Sequence, residues 1–249
     1  MTILLLGDLT GRSRVALRML TFELENRGHE VLILPTALIS NTLNLGRAAK
    51  ADTTDYLLES LATWEALGLS YDLVYIGYVT GLAQAEKLCE VADAARAKGI
   101  PVVVDPILGD NGRRYNSVTT EQAEAMARLI RHADVITPNL TEACLLAGQP
   151  YETADADALL DALEMGHVSV LITSAGDAVA GRDAQTGERF RIPFERVPGE
   201  HWGTGDRFCA LLLDGLTRKL PLAQAAKRAS DGVYAALSGK NPANPIDEV

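Results

Sequence analysis

Ile100-Pro101-Val102-Val103-Val104-Asp105-Pro106-Ile107-Leu108-Gly109-Asp110-Asn111-Gly112-Arg113-Arg114-Tyr115 is the stretch on which the fold turns. Val102, Val103 and Val104 form a short run with no polar alternation, which suits a strand buried on both faces of a parallel sheet. Asp105 follows at once, and Pro106 and Gly109 bend the chain into a turn that also carries Asp110. Two carboxylates just beyond a buried strand can serve magnesium, which takes few carboxylates and keeps several waters. The same residues can instead make Asx-type bonds within the turn.

Outward from this strand the pattern is strand, loop, helix, repeated. Upstream, residues 84–98 read as an Ala-rich helix closed by Gly99, and 73–76 as a strand. Asp52-Thr53-Thr54-Asp55 offers caps for a helix running to Gly68. Residues 30–34 read as a strand stopped by Pro35, followed by a polar loop over 40–46. Residues 12–27 carry helical spacing through Val15, Leu17, Leu20 and Leu24, with Gly28 as C-cap, and 2–6 are the first strand. Downstream, helices are expected at 121–131, 140–147 and 156–164, with strands at 135–137 and 168–173. Residues 178–182 and 189–193 flank a turn containing Thr186-Gly187 and read as a late β-hairpin. Two helices, 204–216 and 222–237, precede a tail marked by Asn-Pro pairs. Interleaved strands and helices of this kind predict an α/β fold with a mostly parallel sheet covered on both sides.

Composition agrees with one domain spanning residues 1–249, because no linker, repeat or low-complexity stretch interrupts it. Hydrophobic residues make up 47 % and charged residues 22 %, enough for an ordinary buried core. No apolar run is long enough for a membrane span. The amino end lacks a basic region and reaches Asp8 early, so it reads as a strand and not as a leader. Cys89, Cys144 and Cys209 are widely spaced with no metal-ligand pattern, which fits a reducing cytoplasm. The net charge of −10 comes without a basic stripe and argues against nucleic acid. Phosphates remain possible ligands, since helix N-termini supply local positive potential.

The sharpest chemical signal is Gly203-Thr204-Gly205-Asp206-Arg207-Phe208, directly before a helix. Two glycines let backbone approach a ligand, and the first-turn amides with the helix dipole favour an anion. A carboxylate inside such an anion nest makes sense as a base that takes a proton from a hydroxyl. It can also be a plain first-turn helix carboxylate. Thr137-Pro138-Asn139-Leu140-Thr141-Glu142 has the spacing of a capping box, with Glu142 alternatively orienting a metal-bound water. Ile172-Thr173-Ser174-Ala175-Gly176 runs from a strand into hydroxyls suited to phosphate oxygens.

Taken in order, Asp105-Pro106-Ile107-Leu108-Gly109-Asp110-Asn111-Gly112 with Tyr115, then residues 133–143, then Thr173-Ser174, then Gly203-Thr204-Gly205-Asp206, this set resembles the pyridoxal/pyridoxine kinase branch of the ribokinase superfamily. The resemblance implies a ribokinase-like three-layer α/β/α sandwich that phosphorylates the hydroxymethyl group of a B6 vitamer. Asp206 would be the catalytic base, with the amides of Gly203, Thr204, Gly205 and Asp206 as the anion hole. ATP would be held by Asp105, Asp110, Tyr115, Asn139, Glu142, Thr173 and Ser174, with magnesium served by Asp105, Asp110 and Glu142. The acceptor would meet Asp8, Thr10, Ser40, Thr42 and Tyr78 as well as Asp206. A homodimer is implied, and the need for a monovalent cation is left open.

The chain departs from the pattern at the acceptor end. Relatives follow Ser-Asn with His-Thr-Gly, where this chain has Ser40-Asn41-Thr42-Leu43-Asn44-Leu45-Gly46, and its Gly11-Arg12-Ser13 stretch is shortened. Trp202 stands where some relatives carry cysteine, which argues against a thiol-assisted mechanism. A hydroxymethylpyrimidine kinase and a non-catalytic ligand-binding descendant are the alternatives. A dinucleotide-dependent enzyme lacks support because no G-x-G-x-x-G follows the first strand. His29, His132 and His167 are expected on the surface, His201 in a loop, and Cys209 in the core.

Overall fold

The computed structural model describes residues 1–42, 47–199 and 201–239. The chain runs through β1 (Thr2–Thr10), α1 (Leu17–Glu25), β2 (Glu30–Ile39), β3 (Lys50–Asp52), α2 (Thr54–Ala66), β4 (Leu73–Ile76), α3 (Leu82–Ala97) and β5 (Val102–Val104). A two-stranded hairpin, β6 (Gly109–Asp110) and β7 (Arg113–Arg114), precedes α4 (Thr120–Leu129), β8 (Val135–Ile136), α5 (Leu140–Ala147), α6 (Ala156–Ala162) and β9 (Ser169–Ile172). The late hairpin, β10 (Ala178–Arg182) and β11 (Arg189–Pro193), and the helices α7 (Thr204–Thr217) and α8 (Leu222–Leu237) follow. The Asn-Pro tail and residues 43–46 of the polar loop lie outside the described residues.

The main sheet has nine strands in the order β11-β10-β9-β8-β5-β4-β1-β2-β3. Strands β2, β1, β4, β5, β8 and β9 are parallel, whereas β3 pairs antiparallel with β2, and β10 pairs antiparallel with both β9 and β11. Period-two alternation sorts β1 between two cores. Leu4 and Leu6 join a cluster with α2, α3, α4, α5 and α6, whereas Ile3 and Leu5 join one with α1, α7 and α8. The three-layer α/β/α arrangement follows, with all the helices sorted between the two faces.

Three local expectations change. Pro35 does not stop β2, because the register shifts between Gly7 and Asp8 and leaves Thr36 as an extra residue. A bulge is where a strand tolerates a missing N–H. The helical spacing from residue 12 does not open a helix until Leu17; residues 12–16 form a loop with Ser13 at φ 75° and Ala16 at φ 51°. His29 is not a surface group, since its ring is buried 3.0 Å from the carboxylate of Asp214.

Helices α1 and α7 are joined by a buried ion pair, Arg207 Nη2 to Glu23 Oε1 at 2.8 Å. Removing one partner of such a pair typically costs about 3–5 kcal/mol, because the other charge stays in the interior, while apolar replacement of both is close to neutral. Glu23→Leu should therefore lower the unfolding free energy by about 3–5 kcal/mol in urea titrations, and Glu23→Leu with Arg207→Met should recover most of that loss.

Candidate active site

Strand β1 has β2 on one side and β4 on the other, so the chain reverses its direction of travel across the sheet there. Ligands in such sheets gather at the carboxyl ends of the strands beside that reversal. Asp8 lies on the far part of β1, Tyr78 just past β4, Asp105 past β5, Thr137–Asn139 past β8, and Thr173 with Ser174 past β9. The segments singled out in the sequence therefore share one edge of the molecule.

Gly203 opens α7 at φ 74°, and a Cβ there would lie 3.0 Å from the Arg14 carbonyl oxygen and 3.2 Å from Met19 Cε. Only glycine fits both constraints. Among the described residues no side-chain cap is made at Gly203, which leaves the first-turn amides of α7 for an anion. Asp206 sits in that turn, and its Oδ2 accepts a hydrogen bond from the Ala16 amide at 2.8 Å. Burial pushes its carboxyl up to about 7; the Ala16 N–H pulls it down, and the charges of Asp105 and Asp8 push it further up. Ala16 holds φ 51° and ψ −135° to deliver this amide, a conformation that L residues avoid.

Asp105 is buried, accepting from Tyr75 Oη at 3.1 Å and from Thr137 Oγ1 at 2.9 Å. Burial raises its carboxyl, and those two donors oppose the rise. Glu142 is also buried, with Oε1 accepting from the Leu108 amide at 3.0 Å and Oε2 from the Asn139 amide at 2.9 Å. Asn139 Oδ1 accepts from the Glu142 amide in return, so the capping box is formed. Asn139 Nδ2 also donates to the Gly109 carbonyl at 2.8 Å, tying the β6–β7 hairpin to α5. Burial first, and then the charge of Asp105, push Glu142 well above the usual carboxylate range. Ser174 Oγ accepts from the Leu140 amide at 3.3 Å, and the Thr173 amide donates to the Pro138 carbonyl at 2.9 Å. The Tyr115 amide donates to the Leu108 carbonyl at 3.0 Å, and burial with the Glu142 charge raises its phenol.

The three carboxylates assigned to magnesium do not converge. Asp110 is exposed at the hairpin tip and accepts from its neighbour Asn111, so the Asx reading is realised there. No group of three potential ligands forms a metal cluster among the described residues. Asp105 and Glu142 still fit a hydrated magnesium, whose charge would relieve their mutual repulsion and which needs few protein ligands.

At the expected acceptor end, Tyr78 is buried against Ala37 and Ile39, and its Oη accepts from Gln122 Nε2 at 2.7 Å and Lys50 Nζ at 3.3 Å. Burial raises the Asp8 carboxyl to about 6, while its own backbone amide and Lys50 act against that rise. Ser40 Oγ accepts from the Ala49 amide at 2.9 Å and donates to Asn41, which braces its loop. The hydroxyls of Thr10 and Thr42 are buried with no hydrogen-bond partner among the described residues. Cys209 is a core residue, and burial holds its thiol well above the usual range.

Ala16, Tyr75, Lys50 and Gln122 escaped the sequence reading. Thr119-x-x-Gln122 matches a capping-box pattern, yet nothing in it shows that the Gln122 amide also reaches Tyr78. A groove of ≈ 450 Å³ between β11 and α8, lined by Ile192, Ala223, Gln224, Lys227, Arg228 and Asp231, contains none of the residues above.

The profile of the pfkB family of carbohydrate kinases matches residues 31–247. The chain belongs to this family. A pyridoxine/pyridoxal/pyridoxamine kinase of Bordetella bronchiseptica is 30 % identical to this pfkB-family chain over 84 % of its length and 79 % of the relative's. A hydroxymethylpyrimidine/phosphomethylpyrimidine kinase of Rhizobium meliloti is 30 % identical over 68 % of the chain and 65 % of the relative. The crystal structure of pyridoxal kinase from Lactobacillus plantarum superposes with a TM-score of 0.84 and 31 % identity, covering 99 % of this chain and 91 % of that one. The expected ribokinase-like fold is therefore the observed one.

A carboxyl whose folded value lies near 7 favours its protonated form in the native state. Its contribution to stability is complete below the unfolded value, about 4, and is lost as pH rises through about 7. Asp206→Asn in nucleotide-free protein with EDTA should melt roughly 3–10 °C above wild type at pH 8, and the gap should close toward pH 4. A gap that is the same at both pH values would refute the burial of this charge.

Proposed function

We propose that this chain transfers the γ-phosphoryl group of ATP to the hydroxymethyl group of a B6 vitamer, forming the 5′-phosphate. Membership of a kinase family and likeness to pyridoxal kinases support the reaction class. The observation that carries the chemistry is Asp206, a carboxyl raised to about 7 inside the uncapped first turn of α7. Groups there see both an anion and the proton that must leave an alcohol.

The amides of Gly203, Thr204, Gly205 and Asp206 bind the phosphoryl oxygens in flight. Asp206 accepts the acceptor's hydroxyl proton as the new phosphorus–oxygen bond forms, and the Ala16 amide keeps its carboxylate aimed. A base with a value near the working pH holds its unprotonated form and still drives proton transfer. Asp105 and Glu142 would hold hydrated magnesium, which would neutralise charge on the phosphates. Asp110, Tyr115, Asn139, Thr173 and Ser174 line the ATP side, and Asp8, Thr10, Ser40, Thr42 and Tyr78 the acceptor side. Positioning and electrostatics supply most of the catalysis, because phosphoryl transfer asks little covalent work of the protein.

The three free cysteines support a cytoplasmic setting, and among the described residues no helix is long and apolar enough to cross a membrane. A homodimer is part of the same reading and is checked by light scattering. A second acceptor, hydroxymethylpyrimidine, is favoured by the Rhizobium meliloti relative. A coupled ADP-release assay across pyridoxal, pyridoxine, pyridoxamine and hydroxymethylpyrimidine should show turnover with at least one vitamer in magnesium-ATP. Asp206→Asn should lower that turnover by roughly 10²–10⁴-fold while nucleotide affinity is kept. Wild-type protein that binds magnesium-ATP and phosphorylates none of the four would support the non-catalytic descendant instead.

A further inference from the structure

The motif residues at the acceptor end, Asp8, Thr10, Ser40, Thr42 and Tyr78, are neutral or acidic. The fold adds a cation. Thr10 pairs with Ile39 across the β1–β2 ladder, and Ile39 pairs with Lys50 across β2–β3. Residues directly paired across a sheet share a face, so Thr10, Ile39 and Lys50 form one row, with Asp8, Ala37 and Asp52 as the parallel row beside it. Ala37 and Ile39 pack on Tyr78, which makes this face an apolar wall with Lys50 at its rim.

The Lys50 ammonium is tethered in place. Its Nζ donates to Tyr78 Oη at 3.3 Å and to the Ser117 carbonyl at 3.2 Å, and lies 5.7 Å from the centre of the Tyr78 ring. An ammonium has three N–H donors, so two tethers leave one for a ligand. The side chain belongs to an exposed residue and can be reached from solvent. The Thr10 hydroxyl in the same row is buried, its residue only 3 % exposed, and it has no partner among the described residues. One oriented cationic donor and an unpartnered buried hydroxyl beside an aromatic edge suit a flat ring that carries an oxyanion.

We propose that Lys50 is the specificity-determining residue that binds the ionised ring hydroxyl of a 3-hydroxypyridine acceptor and so selects it over a neutral aminopyrimidine. This rests on the vitamer reading of the acceptor site and names the group that reads the ring. An oxyanion set against an apolar wall is costly unless a donor or a charge meets it, and Lys50 supplies both. An aminopyrimidine presents an N–H₂ donor instead, which an ammonium cannot accept. Discrimination then comes from a mismatch built against the wrong ring as well as a match to the right one.

The test compares wild type, Lys50→Met and Lys50→Arg on pyridoxine, 3-O-methylpyridoxine and hydroxymethylpyrimidine. Charge-assisted hydrogen bonds imply that Lys50→Met loses roughly 10- to 100-fold in kcat/KM for pyridoxine, chiefly through KM. The other two acceptors should change by less than about threefold, and Lys50→Arg should retain most of the preference. Dissociation constants from the near-ultraviolet absorbance of the hydroxypyridine ring are measured alongside, since ionisation of the ring hydroxyl shifts that band. If wild type turns over no acceptor, the proposed function fails, and the pyridoxine affinities alone decide Lys50. Unchanged pyridoxine affinity in Lys50→Met, or an equal loss with all three ligands, would overturn the proposal.

Discussion

The hydrogen bond from the Ala16 amide to the Asp206 carboxylate is the interaction on which the site depends. It joins two segments 190 residues apart, the loop between β1 and α1 and the first turn of α7. Ala16 adopts a backbone conformation that costs free energy, of order 1–3 kcal/mol, to present its N–H there. The buried Glu23–Arg207 pair ties α1 to the residue next to Asp206, so the first turn of α7 is held by α1 as well as by the loop before it. Gly203 completes it, since any side chain there would press on the Arg14 carbonyl and Met19.

Carboxylates crowd this edge of the sheet. Asp8, Asp105, Glu142 and Asp206 are all raised by burial, and Asp105 adds its charge to the rise of both Glu142 and Asp206. Such an arrangement costs free energy that a bound cation would offset. Perturbed groups of this kind cluster where chemistry is done, and the stability they forgo is supplied by the two apolar cores above and below the sheet. Lys50 fits the same logic at the opposite end, where it counters Asp8 and steadies Tyr78.

Much of the scaffold was legible because its signals are local. The Val102–Val104 run became a strand buried on both faces, residues 140–147 became a helix with its cap at Asn139 and left-handed Gly148, and the late hairpin has the expected limits. Pro35 misled, because a proline normally ends a ladder and only the neighbouring strand shows that a bulge absorbs it. The spacing over 12–16 misled for a related reason: contact with α7, not periodicity, sets where α1 begins. Asp110 lies close to Asp105 in the chain, yet it is exposed and bonded to its neighbour Asn111, whereas Asp105 is buried.

By itself the sequence determined the alternation of strands and helices, the acidic charge, and the glycine turn that opens α7, since each depends on residues near one another in the chain. Tertiary structure alone decided which carboxylates lose their water, which amide meets Asp206, and that a lysine from an edge strand faces Tyr78. Those outcomes depend on burial and on contacts between distant segments, and desolvation has no signature in a linear string of residues.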